Sequence, residues 1–151
     1  MSFRFRSLNL DHVGVVGSGQ IGPDIALHLA KALAPAGVHV TVVDVAREAL
    51  DRGRAKLEQK VGKDREKGVL APAAADAILG ALAFTTDYGA LADAGLVIEA
   101  ATEDLDIKRR IFAQLERLCA PNAILASNSS HIEPPLIFRD LMHRARTLVI
   151  H

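Results

Sequence analysis

The chain has 151 residues, half of them hydrophobic, which suits one globular domain with a sizeable core. Its 18 basic residues balance 18 acidic ones, so it carries no electrostatic footprint for nucleic acid or another polyanion. A single cysteine, Cys119, excludes an intramolecular disulfide and a cysteine-built metal cluster, and no metal site is expected.

Residues 1–11 read as a lead-in, and residues 12–151 as one domain. The lead-in holds Arg4 and Arg6 but lacks the apolar stretch of a signal peptide. No run approaches the roughly 18 apolar residues of a membrane span, so no membrane association is expected and the cytoplasm is the expected compartment. Val13–Val16 is an apolar run too short for a helix, the pattern of a buried parallel strand. Gly17, Ser18, Gly19, Gln20, Ile21 and Gly22 follow, spaced G-x-G-x-x-G. Ile21, Ile25, Leu29 and Leu33 share one face of a predicted helix over 20–34, which Pro35-Ala36-Gly37 stops. Pro23 falls in its first turn, where a missing N–H matters little.

A second strand, Val40–Val43, ends in Asp44. The long helix predicted over 46–67 turns Ala49, Leu50, Gly53, Leu57 and Val61 inward. It carries Arg52, Arg54, Lys56, Lys60, Lys63, Arg65 and Lys67 on a solvated outer face. Gly68 ends it, and Ala71-Pro72 opens an alanine-rich helix to Leu79. A third strand is expected at 82–85, a one- or two-turn helix at 88–93, and a fourth strand at 95–100. The next helix, over 103–119, buries Ile107, Ile111, Leu115 and Leu118; its early acids and late Arg117 suit the helix dipole. Pro121-Asn122 breaks it. A fifth strand at 123–126, a polar loop at 127–130, a short helix at 134–141 and a sixth strand at 147–150 complete the chain.

Strands alternating with helices predict an α/β fold, a doubly wound parallel sheet of Rossmann type in the order 3-2-1-4-5-6. The strand–glycine turn–helix unit opens a dinucleotide-binding crossover. Gly17 allows the tight turn, Gly19 lets a diphosphate approach the backbone, and Gly22 lets the helix pack against the strand. Asp44 stands about 20 residues further on, where a carboxylate accepts the adenosine ribose hydroxyls and repels a 2′-phosphate, so the expected cofactor is NAD. Asp44, Glu99, Ser127-Asn128 and His151 all end strands and face one crevice.

Four segments in order, V-G-V-V-G-S-G-Q-I-G, V-I-E-A-A-T-E-D-L-D-I-K-R-R-I-F, A-I-L-A-S-N-S-S and T-L-V-I-H, resemble the NAD-binding domain of the L-3-hydroxyacyl-CoA dehydrogenases over residues 12–151. The resemblance implies oxidation of the 3-hydroxyl of a 3-hydroxyacyl-CoA to the 3-ketoacyl-CoA by hydride transfer to NAD, as in fatty-acid β-oxidation. It implies that His151 takes the hydroxyl proton, that Ser127 contacts the substrate oxygen near the nicotinamide, and that Asn128 accompanies it. Glu99, with Ala100 beside it, is implied to lie at the cofactor together with Gly17, Ser18, Gly19, Gln20, Ile21, Gly22 and Asp44. Lys60 and Lys67 are the positions implied to hold the CoA part of the substrate. A base of pKa near 6.5 suits that proton transfer, and a serine hydroxyl can donate to the developing oxygen charge.

The chain departs from the family pattern in two places. Pro23-Asp24 replace small residues, with Asp24 expected to point outward. The histidine's glutamate partner and the C-terminal helical domain, which supplies the family's dimer interface, lie beyond the sequence. A fragment of a longer, dimeric enzyme is therefore the expectation. The other readings are a stand-alone NAD-binding module without catalysis and a dehydrogenase of a short hydroxy acid or sugar acid.

Overall fold

The computed structural model describes residues 4–5 and 8–150. Six parallel strands form one sheet: β1 (His12–Val16), β2 (His39–Val43), β3 (Leu82–Thr85), β4 (Leu96–Glu99), β5 (Ile124–Ser127) and β6 (Thr147–Val149). Their spatial order is 3-2-1-4-5-6, the expected doubly wound topology. β1 pairs with β2 on one side, with Val16 opposite Val43, and with β4 on the other, with Val16 opposite Glu99. The chain reverses direction of winding between β1 and β4, so the ends of these strands splay a crevice at the switch point.

The helices are α1 (Gly22–Leu33), α2 (Arg47–Glu66), α3 (Pro72–Gly80), α4 (Leu105–Leu118) and the one-turn α5 (Pro134–Ile137). Side-chain alternation along the strands divides the core in two. Val15, Val40 and Val42 face α1, α2 and α3 through Ala26, Leu27, Leu50, Leu57 and Ile78. Val16, Val43, Val97 and Leu125 face α4 through Phe112 and Leu115, and Phe138 after α5 meets Phe112 edge-to-face at 4.9 Å. Gly14 belongs to this second face, where a Cβ would strike Leu91 Cδ2 at 2.7 Å.

Four segments differ from expectation. The lead-in holds a small antiparallel pair, Arg4–Phe5 with Leu8–Asn9. Residues 88–93 form only a 3-10 turn, Tyr88–Leu91, which the Asp87 side chain caps by accepting from Gly89 N–H. Ser127 is the last residue of β5, opposite Glu99, instead of the first of a loop. Ile137 ends α5, four residues being enough to seat Ile137 and Phe138 in the core. Cys119 is buried, its thiol beside Leu91 O, and burial pushes its pKa up.

Candidate functional site

The glycine turn has the geometry its spacing implies. Gly17 sits at φ 106°, where a side chain is strained, and a Cβ there would meet the Ala100 carbonyl oxygen at 2.7 Å. A Cβ on Gly22 would collide with the Gly17 carbonyl oxygen, so α1 approaches the turn only because Gly22 has none. Gly19 is different: a Cβ there would meet no protein atom within 4 Å and would stand in the open crevice. No side chain caps the start of α1. The N–H groups of the turn and the dipole of a 12-residue helix thus present positive potential to an anion.

Asp44 turns toward this cradle. Ser18 N–H donates to Asp44 Oδ2 at 2.7 Å, and Ala46 N–H donates to Oδ1 at 2.9 Å. A carboxylate has about four lone-pair sites, so each oxygen keeps capacity for a sugar hydroxyl. The Ser18 hydroxyl is buried and donates to Ala49 O at 2.9 Å. A Cβ on Gly53 would clash with that hydroxyl. Turn, ribose acid and first turn of α2 are therefore one interlocked unit.

A crevice of about 670 Å³ opens over these groups. Val16, Gly17, Gly19, Gln20 and Ile21 line it at the turn, Asp44, Val45 and Tyr88 at one end, and Ala100, Ala101, Thr102, Ile107 and Ile111 at the other. The mostly apolar walls, one carboxylate and bare glycine backbone fit a dinucleotide: base, diphosphate and sugar each have a matching surface. Gly17, Gly19, Gln20, Ile21, Asp44 and Ala100 all line it, whereas the Ser18 side chain is turned away.

Glu99 and Ser127 lie beneath the crevice instead of lining it. Glu99 is 0% exposed. Its Oε1 accepts from Lys108 Nζ at 2.7 Å and from Ala101 N–H at 2.8 Å, while Oε2 accepts from the Ser127 hydroxyl at 2.7 Å. Three donors on one carboxylate leave Ser127's single proton committed to Glu99. Glu103 closes the cluster, accepting from the Ser129 hydroxyl at 2.7 Å and from Ser130 N–H at 3.2 Å. Burial opposes its ionisation, but Ser129, Ser130, Lys108 and His131 outweigh that and hold Glu103 below the ordinary carboxylate value. The sequence pattern gives Lys108 and Glu103 no role beyond membership of α4 and its approach; nothing in helical periodicity says that a lysine in an amphipathic helix points inward to a carboxylate.

His151 lies outside the described residues. The residue before it is fixed: Ile150 N–H donates to Ser127 O at 2.9 Å, and Asn128 Nδ2 donates to Ile150 O at 2.8 Å.

On the outer side of α1 and α2, Lys60 and Lys67 border a separate basin of about 380 Å³ with Lys31, Lys63, His28 and two carboxylates, Asp24 and Asp64, the latter paired with Lys31 at 2.7 Å. Asp24 is not a free acid beside the turn. It pairs with Lys56 Nζ at 2.8 Å and Lys60 Nζ at 2.5 Å, bolting α1 to α2. Among the described residues, no group of histidine, cysteine and carboxylate side chains is arranged to hold a metal ion. None of the described helices is long and apolar enough to cross a membrane.

Comparison with known proteins agrees with this geometry. The family model described as 3-hydroxyacyl-CoA dehydrogenase, NAD binding domain, matches residues 12–151. A probable 3-hydroxybutyryl-CoA dehydrogenase of Deinococcus radiodurans is 44% identical over 119 residues, covering 79% of this chain and 41% of that protein. A 3-hydroxybutyryl-CoA dehydrogenase of Mycobacterium tuberculosis is 38% identical, covering 94% of this chain and 49% of that one. The crystal structure of an Escherichia coli K12 3-hydroxybutyryl-CoA dehydrogenase superposes with a TM-score of 0.89 at 35% identity, covering 95% of this chain and 30% of that one. The chain thus spans half or less of the length of these relatives.

Proposed function

Because the chain belongs to the NAD-binding domain family of the 3-hydroxyacyl-CoA dehydrogenases, with NAD as its cofactor, we propose that it is the cofactor half of an enzyme that oxidises a 3-hydroxyacyl-CoA to the 3-ketoacyl-CoA. Bound NAD supplies a hydride acceptor. The chain's own groups do the rest. The turn of Gly17–Gly22 holds the diphosphate by backbone N–H groups, and Asp44 holds the adenosine ribose.

His151 takes the proton from the 3-hydroxyl as hydride leaves the carbinol carbon, so no full positive charge develops there. Ser127 meets the substrate oxygen once its hydroxyl turns away from Glu99, and Asn128 holds the Ile150 carbonyl. Lys67, and Lys60 once it gives up its pairing with Asp24, supply positive charge for the phosphates of CoA. The reading extends to a cytoplasmic, dimeric enzyme of lipid metabolism whose second half completes the acyl site.

One observation carries this reading over that of a passive NAD-binding module. Ile150, which precedes His151 in the sequence, is hydrogen-bonded to both Ser127 and Asn128 at the end of β5, where a passive module would need no such tie. The test is NADH-dependent reduction of acetoacetyl-CoA, measured on this chain and on the chain extended by what its gene encodes after His151. Turnover that falls by about 10²–10⁴ in His151→Gln, with NADH affinity intact, is the expected result. NADH binding without turnover in either form would leave the module reading in place, and turnover restricted to a free hydroxy acid would replace the acyl-CoA substrate.

A further inference from the structure

Asp24 stands where a small residue is expected, and the dinucleotide crevice gives it no task. It lies in the first turn of α1, and its carboxylate reaches across to α2. There Lys56, Lys60, Lys63 and Lys67 are spaced four, three and four residues apart, which sets them along one stripe of the helix. Lys56 Nζ donates to Asp24 Oδ2 at 2.8 Å and to Gln20 O at 3.1 Å, while Lys60 Nζ donates to Asp24 Oδ1 at 2.5 Å. Lys63 and Lys67 form no ion pair among the described residues. Burial opposes the ionisation of Asp24, but the hydrogen bonds and charges of Lys56 and Lys60 outweigh it and hold the carboxyl below its ordinary value. Asp24 is therefore a fixed negative charge at neutral pH, set in the wall of the basin that Lys60 and Lys67 border.

A carboxylate that holds a lysine of a phosphate site is a resident substitute for the phosphate. We infer that Asp24 is a built-in competitor for Lys60, setting how much anionic charge a ligand must bring before the basin admits it. This rests on the placement of the CoA phosphates above and deepens it. The Asp24 and Lys60 side chains are 41% and 47% exposed, so their pair is screened and open to exchange. Exchange leaves no orphan: when Lys60 turns to a ligand, Lys56 stays on the other oxygen of Asp24. A free carboxylic acid offers Lys60 nothing that the tethered carboxylate does not already supply at high effective concentration. A phosphate monoester brings a charge of roughly −1.5 to −2 and three acceptor oxygens. Asp24 thus biases the basin toward a multiply phosphorylated substrate and against a short hydroxy acid. Asp64 has no such part, since it holds Lys31.

The experiment is calorimetric titration of the full chain with CoA, repeated on Asp24→Asn, Lys60→Met, Lys67→Met and the double variant Asp24→Asn with Lys60→Met. Asp24→Asn is expected to tighten CoA about five-fold, and the double variant to lose that gain. The thermal midpoint of Asp24→Asn falls slightly as the bolt between α1 and α2 loosens, so a merely structural role for Asp24 predicts weaker CoA binding instead. Asp24→Glu, which keeps the charge, stays near the unaltered affinity. Lys60→Met alone is expected to weaken CoA less than Lys67→Met, since Lys67 has no internal partner to leave. That comparison stands even where Asp24→Asn fails to fold. CoA affinity that falls or stays unchanged in Asp24→Asn, while Lys67→Met weakens it, overturns the competitor role alone. A loss in Lys60→Met equal to or greater than that in Lys67→Met does the same. CoA binding that neither lysine variant alters, or no binding at millimolar concentration, overturns the placement of CoA and the competitor with it.

Discussion

Lys108 and Glu99 meet at 2.7 Å with side chains 1% and 0% exposed, an ion pair held out of water between α4 and the end of β4. Such a pair contributes little over an apolar replacement, yet removing one partner strands the other charge in the interior. Lys108→Met is expected to lower stability by about 3–5 kcal/mol. Adding Glu99→Gln should recover a large part of that loss, since no uncompensated charge then remains. Urea unfolding of the two single variants and the double variant gives the coupling. Additive losses would show that the two side chains act separately.

The glycines of the turn should separate folding from binding. Gly22→Ala drives a Cβ into the Gly17 carbonyl, backbone against backbone, and neither can yield without reshaping the turn. Overpacking of this kind costs about 1–3 kcal/mol, so both the unfolding midpoint and NADH affinity should drop. Gly19→Ala meets nothing within 4 Å and should leave the midpoint unmoved while weakening NADH by obstructing the diphosphate's approach. An equal midpoint shift in both variants would count against separate jobs for the two glycines.

The cofactor half of the site was legible because its chemistry is local. A glycine spacing needs only a strand before it and a helix after it, and Asp44 needs only to end the next strand; all of these follow from periodicity and turn residues. Alternation of strands and helices likewise led to the strand order. What lay hidden depends on partners distant in sequence. Glu99 ends a strand as expected, but Lys108 and Ser127 bury it, and a lysine in an otherwise amphipathic helix reads as solvated until α4 is docked. Asp24 reads as an outward-facing acid beside a phosphate site, and only the packing of α1 on α2 reveals Lys56 and Lys60 as its partners. Tyr88 was missed because a 3-10 turn carries no periodic signal.

Asp44 should decide which dinucleotide is accepted. Its oxygens take Ser18 N–H and Ala46 N–H and keep lone pairs for the ribose. Asp44→Asn keeps the shape but loses the charge and part of the acceptor capacity, so NADH affinity should fall about ten-fold while repulsion of a 2′-phosphate is relieved. The ratio of NADH to NADPH affinity, measured by titration of both, should move toward NADPH. An unchanged ratio would place the ribose elsewhere.

Acid should destabilise the domain through carboxylates that the fold keeps ionised. Burial works against ionised Glu116, but Met142 and His143 N–H groups with Arg146 and His143 charges outweigh it, and its pKa is lowered from 4.5. Glu103 is lowered likewise by Ser129, Ser130, Lys108 and His131 against burial. A group whose native pKa lies below its unfolded value binds more protons when unfolded, so stability rises with pH across that interval. These contributions are present in full well above 4.5 and are lost as pH falls below 4.5 and through the depressed native values. Unfolding free energy should therefore be flat in this respect from pH 7 to about pH 5.5 and fall steeply below about pH 4.5. Glu116→Gln and Glu103→Gln should each make that acid limb shallower, while lowering stability near neutral pH. Urea midpoints across pH 3–7 check it; an acid limb equally steep in both variants would assign the loss to other carboxylates.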